Sequence, residues 1–366
     1  MNPLRHHGLS FLPDSDARAG LSAPDYYAML LELSDLAESQ GMSHIKITEH
    51  YLHAYGGYCP SPLTFLAAVA ARTRNIRLMT GCLLPAFHHP LQMAAEAAMV
   101  DALSHGRLDV GVARAYMPYE FDAFGIDMNT SRERFDTTVA AMHRLWSEVR
   151  VSEDTPFFSY TDVTSLPRPV QPDGPPVWVA AVRSAESFVA AGRAGHGLLV
   201  TPSLSPLAEV AALIETYRDN FVPRRPGDSS RVLASLPLFV DRSDESARRI
   251  ADPLLAHYLR VWAEAADAWS ARQSTDYRGY TGMGHALRAF SPAKLRTVGG
   301  AVVGSVEHVI DRIETIQDTL RVDGFFWQVD SGGVDAVTAR GNLELFCAEV
   351  APALRCFAAG AVPVGV

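Results

Sequence analysis

Little in this sequence supports a metal-bound, disulfide-bonded or membrane-spanning protein. Among 366 residues there are only four cysteines, Cys59, Cys82, Cys347 and Cys356, with no CxxC spacing and no regular framework. Reduced thiols in a cytoplasmic protein are the plain reading. His88 and His89 are adjacent but have no cysteine pair near them, so no zinc site is expected. No stretch approaches the roughly 18 apolar residues of a membrane span, and the first residues lack the basic-then-apolar pattern of a signal peptide. Positive charge is also short: 32 basic residues face 41 acidic ones, for a net charge of −9. That argues against nucleic acid or an anionic membrane as the main partner, while a small anionic ligand held by a few local arginines stays compatible. Finally, no GxGxxG follows any strand-like run, which counts against a Rossmann dinucleotide site.

What is present is an ample apolar content, 48%, with 20% charged residues, and a repeated alternation of short β-rich runs with longer helical patterns. Strands are predicted at 8–13, 44–49, 76–84, 108–112, 177–181, 197–201, 232–240 and 324–329. Helices are predicted at 24–40, 61–72, 90–103, 131–149, 185–194, 206–221, 243–269, 305–320 and 334–357. The helix at 305–320 opens on the capping signature Ser-Val-Glu-His. Between 270 and 300 the period is lost; structureless loops of this length are usually functional or disordered. Eight strands alternating with helices predict an α/β fold closed as a (β/α)8 TIM barrel, one domain over 1–366, with 270–300 as an active-site lid inserted before the last strand.

In such barrels the active site forms where strands end. The strand ends supply Glu49, His50 and Tyr51, then Thr80, Gly81 and Cys82, Arg114 and Tyr116, Arg183, Ser184 and Ser187, Thr201, and lastly Gln328, Asp330 and Ser331. Each has a bland reading beside the functional one. His50 reads either as a backbone-bonded structural histidine or as an acid–base group. Arg114 and Arg132 read as solvated charges or as anion contacts, although Arg114 directly follows a buried strand, a poor place for an unpartnered guanidinium. Arg183-Ser184 at a helix start reads as an N-cap or as an anion seat. The Tyr/Phe-rich segment 116–124 either walls an aromatic ligand or packs its own loop.

Several blocks together carry a resemblance. AESQGMSHIKITEHY (37–51), LPAFHHPLQMAAEAAMVDALSHGRLDVGVARAY (84–116), FGIDMNTSRERF (124–135) and the stretches VVGSVEHVIDRI and LELFCAEVAPALR resemble, in order, blocks of the bacterial luciferase-like flavin-dependent monooxygenases, and in particular the luciferase α-subunit. The resemblance implies an FMN-dependent monooxygenase that takes reduced FMN from a separate flavin reductase. With O2, through a peroxyflavin, it would oxygenate a small organic substrate, one with room to be aromatic or polycyclic. It also implies His50 as the catalytic residue. Arg114, Arg132, Arg183, Ser184 and Ser187 would hold the FMN phosphate, with Tyr116 nearby, and a non-prolyl cis peptide would fall at Thr80–Gly81 beneath the flavin. A homodimer built on helices 61–72 and 90–103 follows in the same way. Ala113 stands where luciferases have a reactive cysteine, and Tyr51 where they have a second histidine, so neither a long-chain aldehyde nor light emission is implied. Two rival readings share the resemblance: a deazaflavin-dependent oxidoreductase of the same fold, and a non-catalytic subunit like the luciferase β chain.

Overall fold

A computed structural model describes residues 3–13 and 22–355. Its strands are β1 (His7–Phe11), β2 (His44–Ile47), β3 (Arg77–Thr80), β4 (Leu108–Val112), β5 (Val151–Asp154), β6 (Ser159–Val163), β7 (Val177–Ala180), β8 (Gly197–Val200), β9 (Val232–Asp241), β10 (Val302–Ser305) and β11 (Gly324–Gln328). The helices are α1 (Ala23–Gln40), α2 (Pro62–Arg72), α3 (Pro90–Leu103), α4 (Pro118–Phe124), α5 (Ser131–Ser147), α6 (Ala185–Arg193), α7 (Leu207–Asp219), α8 (Asp244–Ala266), α9 (Met283–Arg288), α10 (Pro292–Val298), α11 (Val306–Leu320) and α12 (Ala336–Leu345). None is long and apolar enough to cross a membrane.

Eight parallel strands close a barrel in the order β11-β1-β2-β3-β4-β7-β8-β9, with β9 returning to β11. The register shows how the strands tilt. Starting at Gln328, the partners run Ser10, Lys46, Met79 and Asp109. Continued through β7, β8 and β9, the same path re-enters β11 eight residues below Gln328. That stagger is the one expected of a (β/α)8 barrel. It also sets heights: Gln328 lies at the C-terminal mouth, Lys46 a little lower, and Asp109 near the opposite end.

Alternation along each strand decides what faces where. Leu9, Ile45, Leu78, Val110, Val179 and Leu198 join the large core beneath the helices, while Met79, Trp178, Leu199, Leu233 and Phe326 fill the barrel itself. Large rings fit inside because glycines face them. A Cβ on Gly8 would meet the Phe326 ring at 2.6 Å, and one on Gly197 would meet Trp178 at 2.3 Å. Trp178 is fully buried and has nowhere to retreat. Gly197→Ala is therefore expected to destabilise the protein by about 1–3 kcal/mol, as overpacked cores do; chemical denaturation with an unchanged midpoint would contradict this account of the interior.

Local signals place the helices. Ser22 caps α1 by accepting from the Asp25 amide at 3.3 Å, and Gly41, at φ 77°, ends it in the left-handed conformation. Ser305 caps α11 at His308, as its sequence predicts. The structure departs from the sequence reading in several places. The β5–β6 hairpin and β10 lay within segments read as connections; β10 pairs beside the outer half of β9, and Pro237, which has no N–H to give, sits where the partner of β9 changes from β11 to β10. Residues 270–300 are no structureless loop but contain α9 and α10, pinned against α8 by buried Trp269, Tyr277, Leu287 and Leu295. The closing helix stops at Leu345, with a π turn at Phe346–Val350; its predicted end at 357, and Cys356, lie outside the described residues.

Candidate active site

The C-terminal mouth gathers three sets of polar groups. The first surrounds an imidazole. β2 ends at Ile47 and the chain turns inward, burying Glu49 and His50. The acid that holds His50 is not its neighbour Glu49. Glu120, from α4, places Oε1 3.0 Å from His50 Nδ1 and also accepts the Tyr51 amide at 2.9 Å. A carboxylate only accepts, so Nδ1 carries the proton, and Nε2, which has no partner among the described residues, is left to exchange one. Glu49 is committed elsewhere, to the Tyr51 hydroxyl at 2.6 Å, His88 Nε2 at 2.7 Å and the Leu84 amide at 3.1 Å. Burial pushes the His88 pKa down, but its bond to Glu49 outweighs that and raises it. Gly56, at φ 75°, passes so close to the His50 ring that a Cβ would stand 2.8 Å away. Tyr55 and Tyr116 flank the imidazole at 4.9 and 6.0 Å between ring centroids, and their hydroxyls bond each other at 3.1 Å. Burial holds both phenols well above their usual pKa, so both remain protonated.

The second set is cationic. Arg114, just past β4, donates to the Asp276 carbonyl at 3.0 Å and lies 4.5 Å from the centroid of the Tyr277 ring. Tyr277 in turn donates to the Ala115 carbonyl. The Asp276 carboxylate sits at the start of α5, 3.4 Å from the Arg132 amide and 3.5 Å from Ser131 Oγ. Arg132 Nη2 faces Glu186 of α6 at 3.9 Å. Arg183 lies near Tyr280 of the segment 272–280: burial raises the Tyr280 pKa, and Arg183 and Arg114 oppose it. Ser184 begins α6 without a side-chain capping bond, and the Ser187 amide bonds the Ser184 carbonyl at 2.9 Å. Arg114, Arg132 and Arg183 and the starts of α5 and α6 are thus linked through residues 276–280 and Glu186, and the Asp276 carboxylate occupies the start of α5.

The third set lies on the floor. Thr80 spends its hydroxyl on the Gly111 carbonyl at 2.8 Å. Because the Gly81 amide still bonds the Ile47 carbonyl at 2.7 Å, the ladder runs through Thr80–Gly81, and the non-prolyl cis peptide falls one residue later than expected, at Gly81–Cys82. Burial pushes the Cys82 thiol up to about 12, and Lys46, Gln328 and Asp330 complete the floor as buried polar groups.

Sequence reasoning missed Glu120 and Lys46. Glu120 is 70 positions from His50 and carries no local sign of the pairing. Lys46 did leave a trace: a charge at an inward position between Ile45 and Ile47 of a buried strand. As for segment 116–124, α4 mostly packs its own loop, with Phe121 and Phe124 against Phe87 at 5.0 and 4.7 Å, while Tyr116 spans the gap between His50 and Tyr280, 6.1 Å from the latter.

A closed parallel eight-stranded barrel surrounded by helices defines a (β/α)8 protein, and its C-terminal mouth carries arginines and an imidazole oriented by a carboxylate. Comparison with known proteins narrows the class: residues 7–322 match the luciferase-like monooxygenase family, and the chain belongs to it. A curated relative, the oxygenase component of the flavin-dependent trigonelline monooxygenase of Acinetobacter baylyi, is 27% identical over 336 residues, 89% of each chain. Among solved structures, monooxygenase RslO1 from Streptomyces bottropensis superposes with a TM-score of 0.81 at 35% identity, covering 94% of this chain and 98% of that one. The oxygenating constituent of 3,6-diketocamphane monooxygenase from Pseudomonas putida, solved with FMN, shares the fold at TM-score 0.76 and 19% identity, covering 95% of this chain and 98% of that one. Other matches include F420-dependent enzymes.

Proposed function

We propose that this chain is the oxygenase of a two-component system, binding reduced FMN delivered by a separate reductase and oxygenating a small organic substrate. The observation that carries the reading is the anion seat. On a protein of net charge −9, Arg114 on the Asp276 carbonyl, Arg132 at the start of α5 and Arg183 near Tyr280 offer positive charge in one region, and the Asp276 carboxylate at that helix start supports reading it as an anion seat. A phosphate monoester fits those donors, with Ser184 and Ser187 at the start of α6 within the same rim. Thr80 and Gly81 would then form part of the surface that receives the ring system, with Tyr116 on the side toward His50.

Bound reduced flavin supplies the electrons that activate molecular oxygen. The chain's own residues do the rest. The arginines fix the phosphate, and the strap 272–280, packed by Tyr277 and Tyr280, keeps water from the mouth. His50, its Nδ1–H directed at Glu120, offers Nε2 for proton exchange with substrate. The tyrosines around it, with Trp262 stacked on Tyr55 at 5.8 Å, favour a flat, apolar substrate. We place a homodimer contact on α2 and α3, where Met99 and Leu103 stay exposed.

The test is a flavin titration. Losing a charged hydrogen bond costs about 1.5–3 kcal/mol, so Arg114→Ala should weaken FMN binding at least about tenfold while leaving riboflavin, which lacks the phosphate, nearly unaffected. Equal FMN affinity in variant and parent would refute the seat. Oxygen uptake with reduced FMN, set against reduction of a deazaflavin by the same protein, separates this reading from the F420 alternative, and turnover by the purified chain alone separates it from a non-catalytic subunit.

A further inference from the structure

The arginine rim reads a phosphate, and the phosphate is the same whether the flavin above it is oxidised or reduced. An oxygenase fed by a separate reductase meets both forms. Discrimination therefore needs a second feature, one that senses charge on the ring system itself.

The barrel floor holds such a feature. Gln328, Ser10 and Lys46 are register partners on β11, β1 and β2, and all three point inward, on strands around the mouth from the arginine-bearing ends of β4 and β7. The Lys46 ammonium is buried, lies 5.3 Å from the centroid of the Phe326 ring, and makes no hydrogen bond or ion pair among the described residues. Gln328 Nε2 and Ser331 Oγ are buried without hydrogen-bond partners. Gly81 leaves the lysine its path: a Cβ there would fall 2.1 Å from Lys46 Cγ and 3.2 Å from Nζ, so the lysine side chain runs against the Gly81 backbone. A buried ammonium without a hydrogen bond and a buried unsatisfied amide are each costly, and each such group asks for a partner that arrives from outside.

We infer that Lys46, supported by Gln328, is the group that makes this pocket prefer the reduced, negatively charged flavin ring to the neutral oxidised one. The inference rests on the flavin reading above. Burial lowers the Lys46 pKa to about 8, with Cys82 and Asp330 opposing, so the amine stays mostly cationic at neutral pH. Gln328 offers an N–H donor to a carbonyl or to a charge-bearing nitrogen.

The experiment measures Kd for oxidised FMN and, anaerobically with dithionite, for reduced FMN, in the unaltered protein and in Lys46→Met, Gln328→Leu and Arg114→Ala. The unaltered protein should bind the reduced form at least about tenfold more tightly. Lys46→Met should erase about a factor of ten of that preference while still binding oxidised FMN, which also shows that it is folded. The midpoint potential of its bound flavin should then drop by about 30 mV, the equivalent of a tenfold ratio for a two-electron couple. Gln328→Leu should move the ratio the same way by a smaller factor, and Arg114→Ala should weaken both forms alike. An unchanged ratio in Lys46→Met and Gln328→Leu, with oxidised FMN still bound, overturns this inference and leaves the flavin reading standing. Failure of the unaltered protein to bind either form sinks both.

Discussion

Replacing His50 by glutamine is expected to lower substrate oxygenation by about two to four powers of ten, the usual range for removing a positioned acid–base group, with FMN affinity unchanged within about threefold. The expectation follows from how the imidazole is held. Glu120 is fully buried, and its Oε1 takes both His50 Nδ1–H and the Tyr51 amide, which fixes the tautomer and turns Nε2 away from the protein's own acceptors. Glutamine has comparable reach and can still bond Glu120 through its amide N–H2, so the pocket wall is kept, but it cannot gain or lose a proton near neutral pH. Glu120→Gln should lower the rate by a lesser factor and distort its pH profile, since the amide no longer selects one tautomer for His50. The readout is oxygenated product formed per O2 consumed, with hydrogen peroxide counted separately. If His50→Gln couples oxygen to product as well as its parent does, the imidazole is a packing residue and the proton comes from elsewhere.

Much of the barrel was legible because its strands obey one rule. Each places β-branched or aliphatic residues on the outward positions, as in Leu9, Ile45, Val110 and Leu198, and the helices between them announce their ends through Ser22, Gly41 and Ser305. What escaped does not repeat that pattern. The β5–β6 hairpin is antiparallel and only partly buried, so its residues never form an apolar run. β10 is four residues long and depends on the outer half of β9 for its pairing. α9 and α10 owe their order to tertiary contacts made by Leu287 and Leu295 rather than to any helical period of their own. The site divides in the same way. Residues at strand ends, His50, Arg114 and Arg183 among them, could be placed at the mouth by position alone. The partners that give them meaning, Glu120 for His50 and Asp276 for Arg114 and Arg132, come from 70, 162 and 144 residues away. Such a pairing is a property of the closed barrel and has no signature along the chain.

At the opposite end of the barrel, Asp109→Ala should destabilise the fold by about 3–5 kcal/mol, the cost of stripping one partner from a buried ion pair. Asp109 Oδ2 accepts from Arg77 Nε at 2.7 Å and lies 3.3 Å from His44 Nε2, while Trp178 Nε1 reaches Oδ1 at 3.4 Å. Burial by itself would raise this carboxyl's pKa, but Arg77 and His44 outweigh it and hold the group below the usual carboxylate range. A folded pKa below the unfolded value of about 3.9 means that the contribution is fully present above about pH 5 and is lost as pH falls further. Arg77 also donates to the Gly106 and Leu108 carbonyls and to Gln171, so its charge is not stranded when the carboxylate is neutralised. Asp109→Asn, which keeps the shape and removes only the charge, should therefore cost less, about 1.5–3 kcal/mol. Urea denaturation at pH 7 and again near pH 3 distinguishes charge from shape, because the gap between parent and Asp109→Asn should narrow as acid protonates this carboxyl first in the unfolded chain. A gap that stays constant across that range would mean that hydrogen-bond geometry, not the carboxylate's charge, anchors this end of the barrel.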